Sequence, residues 1–300
     1  MFLQRRLTGI SLLIASSLVL SLGCSGNDSV ADDSAVDGTL TLTGDPADTT
    51  NEPEVSLPNE LPTKLVITDL TEGTGPAAID GDTVYVNYVG VLSKDGTRFD
   101  GNYGFEAFGV TLGTGSVIAG WEQGLLGIKT GGRRQLDIPA DLAYGDEGAG
   151  DIIKPGDALS FIVDAVAIVP KISRRDEPRE EITGRDPVTE LVTEDLVTGS
   201  GDPIKAGDRV ILHLQAYRAD TGELLETTWE FDAPLDITLV QDATLDGLLQ
   251  GIPGMQVGGR RVITIPFELA FGAEGNPDLG LPPSTDLLVI IDVFAVLPSS

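Results

Sequence analysis

The sequence predicts an α+β protein built from two tandem copies of one domain, each an antiparallel sheet laid over one short helix. Three observations predict it. The chain repeats itself after residue 60: "KTGGRRQLDIPADLAYG" (129–145) answers to "QVGGRRVITIPFELAFG" (256–272), and both Trp121 to Leu248 and Tyr144 to Phe271 are offset by 127. Strand-type alternation dominates each copy. Only one stretch per copy carries a helical period.

In chain order, "MFLQRRLTGISLLIASSLVLSLGC" has Arg5 and Arg6, an apolar run from Leu7 to Leu22, then Gly23 and Cys24. That layout predicts a signal peptide over 1–23. The run falls short of the roughly 20 residues that span a bilayer comfortably. The lone Cys directly after it resembles the lipobox of bacterial lipoproteins, although Ser21 stands where Leu is usual. The resemblance implies lipidation at Cys24 and a membrane anchor on an exported chain. Residues 24–60, rich in Asp, Ser, Thr, Gly and Pro, are expected to form a disordered acidic tether.

The first copy is placed at 61–170. "TVYVNYVGVL" (83–92) and "DALSFIVDAVAIV" (157–169) read as strands, and Asp95-Gly96 marks a hairpin. Ile118, Trp121, Leu125 and Ile128 step by 3, 4 and 3, which puts them on one helical face, with Ser116 as the expected N-cap. Gly131, Gly132, Arg133 and Arg134 match no phosphate-loop pattern and read as a turn with surface charge. "KISRRDEPREEITGRDP" (171–187) is charged and aperiodic, so a linker is expected there. The second copy fills 188–300.

Composition narrows the chemistry. A formal charge of −28 opposes nucleic-acid binding. One Cys and one His (His213) exclude an internal disulfide and Cys/His zinc sites, and Cys–His or Ser–His–Asp catalysis in one site is not expected. No calcium-loop spacing appears, and no metal or cofactor is expected.

"VNYVGVL" with "DGTRFD", "VIAGWEQGL" and "LAYGDEGAGDIIKPGDALSF" resemble the FKBP family of peptidyl-prolyl cis–trans isomerases over residues 64–169. The resemblance implies a curved antiparallel sheet wrapped around the helix, with a pocket between them. It places aromatic walls at Tyr88, Phe99, Phe108 and Phe161, an indole floor at Trp121, a hydroxyl donor at Tyr144 and a carboxylate at Asp100. Val117 and Ile118 match the stretch whose backbone binds a substrate carbonyl, and Ile153 an apolar part of the rim. Ala149 replaces a rim His, and "GNYGFEAF" (101–108) is about one residue short. The implied partners are proline-containing polypeptides and macrolide-type inhibitors. The implied activity is prolyl isomerisation outside the cytoplasm; the alternative is a non-catalytic chaperone that holds proline-containing segments.

By residue type alone, these aromatics are ordinary core residues. The second copy has Leu214, Leu225, Glu226, Leu248 and Phe271 in place of Tyr88, Phe99, Asp100, Trp121 and Tyr144, with Val289 or a neighbour for Phe161. The fold is expected to survive there without the pocket. Trp229 has no evident counterpart in the first copy and no assigned role.

Overall fold

The computed structural model describes residues 51–231, 234–241 and 243–297. The signal segment, Cys24 and the tether as far as residue 50 lie outside the described residues. Two sheets of the same topology follow one another. The first is built from β1 (Val66–Thr71), β2 (Thr83–Leu92), β3 (Arg98–Gly101), β4 (Phe108–Thr111), β5 (Arg133–Ile138) and β6 (Leu159–Val169), with α1 at Ala119–Gly124. Its order is β1-β5-β6-β2, with both β3 and β4 paired to β2, and every pair is antiparallel. The second uses β7 (Val192–Val197), β8 (Arg209–Arg218), β9 (Leu224–Thr227), β10 (Leu235–Thr238), α2 (Asp246–Gly251), β11 (Arg260–Ile265) and β12 (Leu287–Leu297) in the matching order.

The two short helices are each pinned to the sheet at two glycines. A Cβ on Gly120 would lie 2.4 Å from Ile138, and one on Gly124 2.7 Å from Leu136. In the second copy, a Cβ on Gly247 would meet Ile265 at 2.2 Å and one on Gly251 would meet Ile263 at 2.7 Å. The shared i, i+4 glycine rhythm is therefore a close helix-to-strand contact in a densely packed core. It leaves Trp121, Leu125 and Ile128 in the first core and Leu248, Ile252 and Met255 in the second. The expected N-cap at Ser116 is not formed. Ile118 occupies the cap position without a side-chain bond, and Ser116 instead accepts from the Thr114 hydroxyl at 3.0 Å.

Two segments expected to be loose lie against the outer faces of the sheets. Glu52 accepts two bonds from Arg98, at 2.8 and 2.9 Å, and Gln135 donates to the Ser56 carbonyl at 2.7 Å. Val55 packs on Val89, Val91, Tyr103 and Ile162. The linker does the same for the second sheet: Glu177 accepts from Gln215 and Thr227, and Ile182 packs on Tyr217, Val262, Leu288 and Ile290. Each strap buries few apolar side chains, and apart from the 3-10 turn Arg174–Asp176 of the linker neither has a helix or strand, so they carry no periodic signal.

Arg133 and Arg134 are buried, against the expectation of surface charge. Arg133 forms a two-point pair with Asp164, both bonds at 2.7 Å, and Tyr103 donates to the same carboxylate at 2.7 Å. Arg134 pairs with Asp69 and donates to the carbonyls of Gly124 and Leu126, tying the helix end to the sheet. A guanidinium tolerates burial when a carboxylate and carbonyls take up its donors.

The two repeats share an apolar contact. Tyr85, Ala167, Val169 and Ile172 pack with Ile211, Trp229, Ala295 and Leu297. Trp229 does have a structural counterpart: Thr227 pairs with Gln215 as Gly101 pairs with Val89, which brings Trp229 level with Tyr103. Trp229 stacks on His213 at 4.2 Å, and its role is in this contact.

Candidate functional site

The one helix, the β2 strand and the edge strands enclose a cavity of about 200 Å³ in the first repeat. Tyr88, Phe99, Asp100, Phe108, Ser116, Val117, Ile118, Trp121, Tyr144 and Phe161 line it. Nine of the ten residues expected at the site are thus brought together; Ser116 is the addition. Ile153 is not among them. It is 6% exposed and sits in the core, where its backbone bridges Ala149.

Ring geometry gives the cavity its shape. Trp121 is 4% exposed and forms the floor. Tyr88 stands on it at 89° with ring centres 5.0 Å apart, and Phe161 at 83° and 5.3 Å. Phe99 meets Phe161 edge-on at 87°, and Phe108 leans towards Tyr88 at 6.2 Å. These edge-to-face contacts suit aromatic quadrupoles and hold the walls upright. The result is an open-mouthed aromatic box with a flat base.

Its polar rim is sparse. Tyr88 donates to Asp100 at 2.8 Å, and burial first, then that bond, pushes the phenol well above its ordinary range. Tyr144 is 40% exposed at the mouth, so its hydroxyl is accessible to a peptide. Ile118 is extended at φ −57°, ψ 147°, and among the described residues its N–H has no hydrogen-bond acceptor. The indole N–H of Trp121 is likewise buried without an acceptor.

Three positioning residues carry no conspicuous motif. Gly90 is required by the walls: a Cβ there would lie 2.6 Å from Phe161 and 2.8 Å from Phe99. Glu122 accepts from the Gly113 and Gly115 amides at 2.6 and 2.8 Å, fixing the loop that leads to Val117 and Ile118. Asn102 accepts from the Tyr88 amide at 2.7 Å and donates to the carbonyls of Val86 and Glu106. The repeat alignment held the signal for the first two, because Ala216 and Leu249 stand at their places in the second copy.

In the second repeat the same positions are filled core. Leu248 is 2% exposed, and Leu214 and Val289 are buried with it. Strand pairing settles the last equivalence: Val289 faces Ile263 as Phe161 faces Leu136. Glu226, at the Asp100 position, has lost its hydroxyl donor to Leu214. Its Oε2 is buried without a hydrogen-bond partner, and burial raises its pKa. A carboxyl whose folded pKa is raised binds protons more tightly in the folded state, so its penalty grows as pH rises through that range. Glu226→Gln should therefore raise the melting temperature at pH 7, and the gain should vanish below about pH 4, the unfolded carboxyl range. Equal gains at both pH values in thermal scans would contradict this.

The profile of the FKBP-type peptidyl-prolyl cis-trans isomerase family matches residues 75–166 and again 201–294. An "FK506-binding protein" of Streptomyces anulatus is 50% identical over 120 residues, covering 39% of this chain and 97% of that protein. The mouse "Peptidyl-prolyl cis-trans isomerase FKBP10" is 32% identical over 233 residues, covering 77% of this chain; the chain spans 37% of that longer protein. Among solved structures, the three FKBP domains of wheat FKBP73 align over 78% of this chain and 94% of that one, at 20% identity and a TM-score of 0.37.

Proposed function

Because the chain belongs to the FKBP-type peptidyl-prolyl cis-trans isomerase family, we propose that its first repeat alone carries the catalysis, on X–Pro bonds of exported polypeptides. The observation that carries this reading is the right-angled box of Tyr88 and Phe161 on Trp121, where the second repeat has Leu214, Val289 and Leu248.

Rotation about an X–Pro bond breaks no covalent bond. Its barrier of about 18–20 kcal/mol comes from amide resonance. In the twisted state the carbonyl loses resonance and the amide becomes less polar. An apolar aromatic floor and walls favour that state over either planar isomer, and differential binding of this kind lowers the barrier. The flat indole takes the proline ring. The Ile118 N–H and the Tyr144 hydroxyl hold peptide carbonyls on either side. Asp100 keeps the Tyr88 ring upright through its hydroxyl. No proton is transferred and no metal is needed, which suits a site without His or Cys.

The test uses the full chain in a protease-coupled assay with X–Pro peptides. One equivalent of an FK506-type macrolide per chain should abolish turnover. A requirement for two equivalents would place catalysis in both repeats. A folded chain without turnover on any peptide would favour the chaperone reading.

We also propose export, with a lipid anchor at Cys24. Arg5, Arg6, the apolar run from Leu7 to Leu22 and the single Cys support it. Among the described residues no helix is long and apolar enough to cross a membrane.

A further inference from the structure

We infer that the second repeat positions the pocket of the first, through Arg209 acting on the strand that carries Phe108. This rests on the reading that the first repeat holds the active box.

Strand β4 is a short edge strand of the wall. It has four residues, pairs with β2 alone, and begins at Phe108. The segment before it, 102–107, contains Gly104 at φ +79° and the 71%-exposed Phe105. Within the first repeat this segment is held at Asn102 and at Tyr103. Between the Glu106 carbonyl, which accepts from Asn102, and Phe108, which pairs with Val86, the second repeat adds a hold at Ala107. Arg209 donates from Nη1 to the Ala107 carbonyl at 3.3 Å and faces Glu106 at 3.5 Å. Its guanidinium sits 5.9 Å from the centre of the Tyr85 ring.

Arg209 is itself aimed. Its Nε and Nη2 donate to the two oxygens of Asp236, at 2.8 and 2.6 Å, leaving Nη1 directed across the repeat boundary. A rigid fork can hold two partners at fixed angles, which a lysine cannot. The apolar contact around Trp229 and Ile211, with Ala107 packed against it, fixes the second repeat so that this direction is constant. The pair is specific to the second copy: strand register puts Thr83 and Gly109 at the Arg209 and Asp236 positions of the first. A repeat whose own pocket is filled thereby retains an effect on isomerisation.

Phe108 is 45% exposed at the rim and touches Tyr88 rather than the Trp121 floor, so displacing it should act on substrate binding, in KM rather than kcat. The full-length chain is compared with Arg209→Ala and Arg209→Lys, by NMR exchange kinetics on X–Pro peptides and by the ring resonances of Phe108. Arg209→Ala should raise KM about fivefold at unchanged kcat, the size expected for one lost ordinary hydrogen bond, in keeping with the 3.3 Å length of the bond to Ala107. The Phe108 resonances should shift with it. Arg209→Lys keeps the charge in the interface and should fall between the two. A purely structural Arg209 would lower the melting temperature and leave KM and the Phe108 resonances at parent values in both variants, which would overturn the inference. A parent chain without turnover would count against the first-repeat reading, and the Phe108 resonances would still decide this one.

Discussion

Replacing Trp121 with Leu should lower kcat/KM for X–Pro isomerisation by about 30-fold, because losing a flat apolar floor forfeits about 2 kcal/mol of contact with the prolyl ring in its twisted state. The chain should stay folded. Two edge-to-face contacts, with Tyr88 and Phe161, are lost at about 0.5–1.5 kcal/mol each. Against that, the variant removes a buried indole N–H that has no acceptor among the described residues, a group that costs about 1–3 kcal/mol where it stands. The opposing effects are similar in size. The second repeat shows a Leu filling this place in an intact core, Leu248 at 2% exposure, with Leu214 and Val289 as its neighbours in place of Tyr88 and Phe161. Stability and activity therefore separate at this position: an indole that contributes little to the fold is retained where it floors the box. Turnover within twofold of the parent in a folded variant would reduce Trp121 to a core residue. Loss of folding together with turnover would show that the two contacts outweigh the unpartnered N–H.

The duplicated α+β topology was legible because strand alternation and a fixed repeat offset are properties of sequence order. The pocket aromatics were legible only through resemblance, since Tyr88, Phe99 and Phe161 fall within ordinary strand patterns. What escaped is what depends on three dimensions. Gly90 reads as a weak point in a strand until the Phe161 and Phe99 rings are seen against its missing Cβ. Ser116 has the right chemistry for a cap, but the chain enters the helix through an extended Ile118 and turns the serine towards Thr114. Ile153 matches a rim position, yet the turn that bridges it to Ala149 directs it into the core. The straps escaped because one valine or isoleucine amid charges has no period. Trp229 was obscure because its counterpart, Tyr103, is anchored through its hydroxyl, whereas Trp229 is held by stacking and by the neighbouring repeat.

Asp164→Ala should be the most destabilising single change in the first repeat, at about 3–5 kcal/mol in urea unfolding. It leaves the guanidinium of Arg133, 3% exposed, without its carboxylate, and it strips the Tyr103 hydroxyl of its acceptor. Such a loss is a large share of the roughly 5–15 kcal/mol that holds a typical domain together. The equivalent pair in the second repeat supplies a control. Arg260 and Asp292 are 23% and 12% exposed, and Asp292, unlike Asp164, leaves one oxygen without a partner. Asp292→Ala therefore removes a less buried and less fully bonded group and should cost distinctly less. Asp164→Ala should also weaken isomerisation in the surviving folded fraction, because Tyr103 ties down the segment that runs to Phe108. A double variant, Arg133→Met with Asp164→Leu, separates the two effects. It restores an apolar sheet face with no charge left behind, so most of the stability should return. The Tyr103 hydroxyl still lacks its acceptor there, so the activity should not return in full. A double variant as unstable as Asp164→Ala would mean that the pair is irreplaceable for packing, and full recovery of activity would free the Phe108 segment from any dependence on Tyr103.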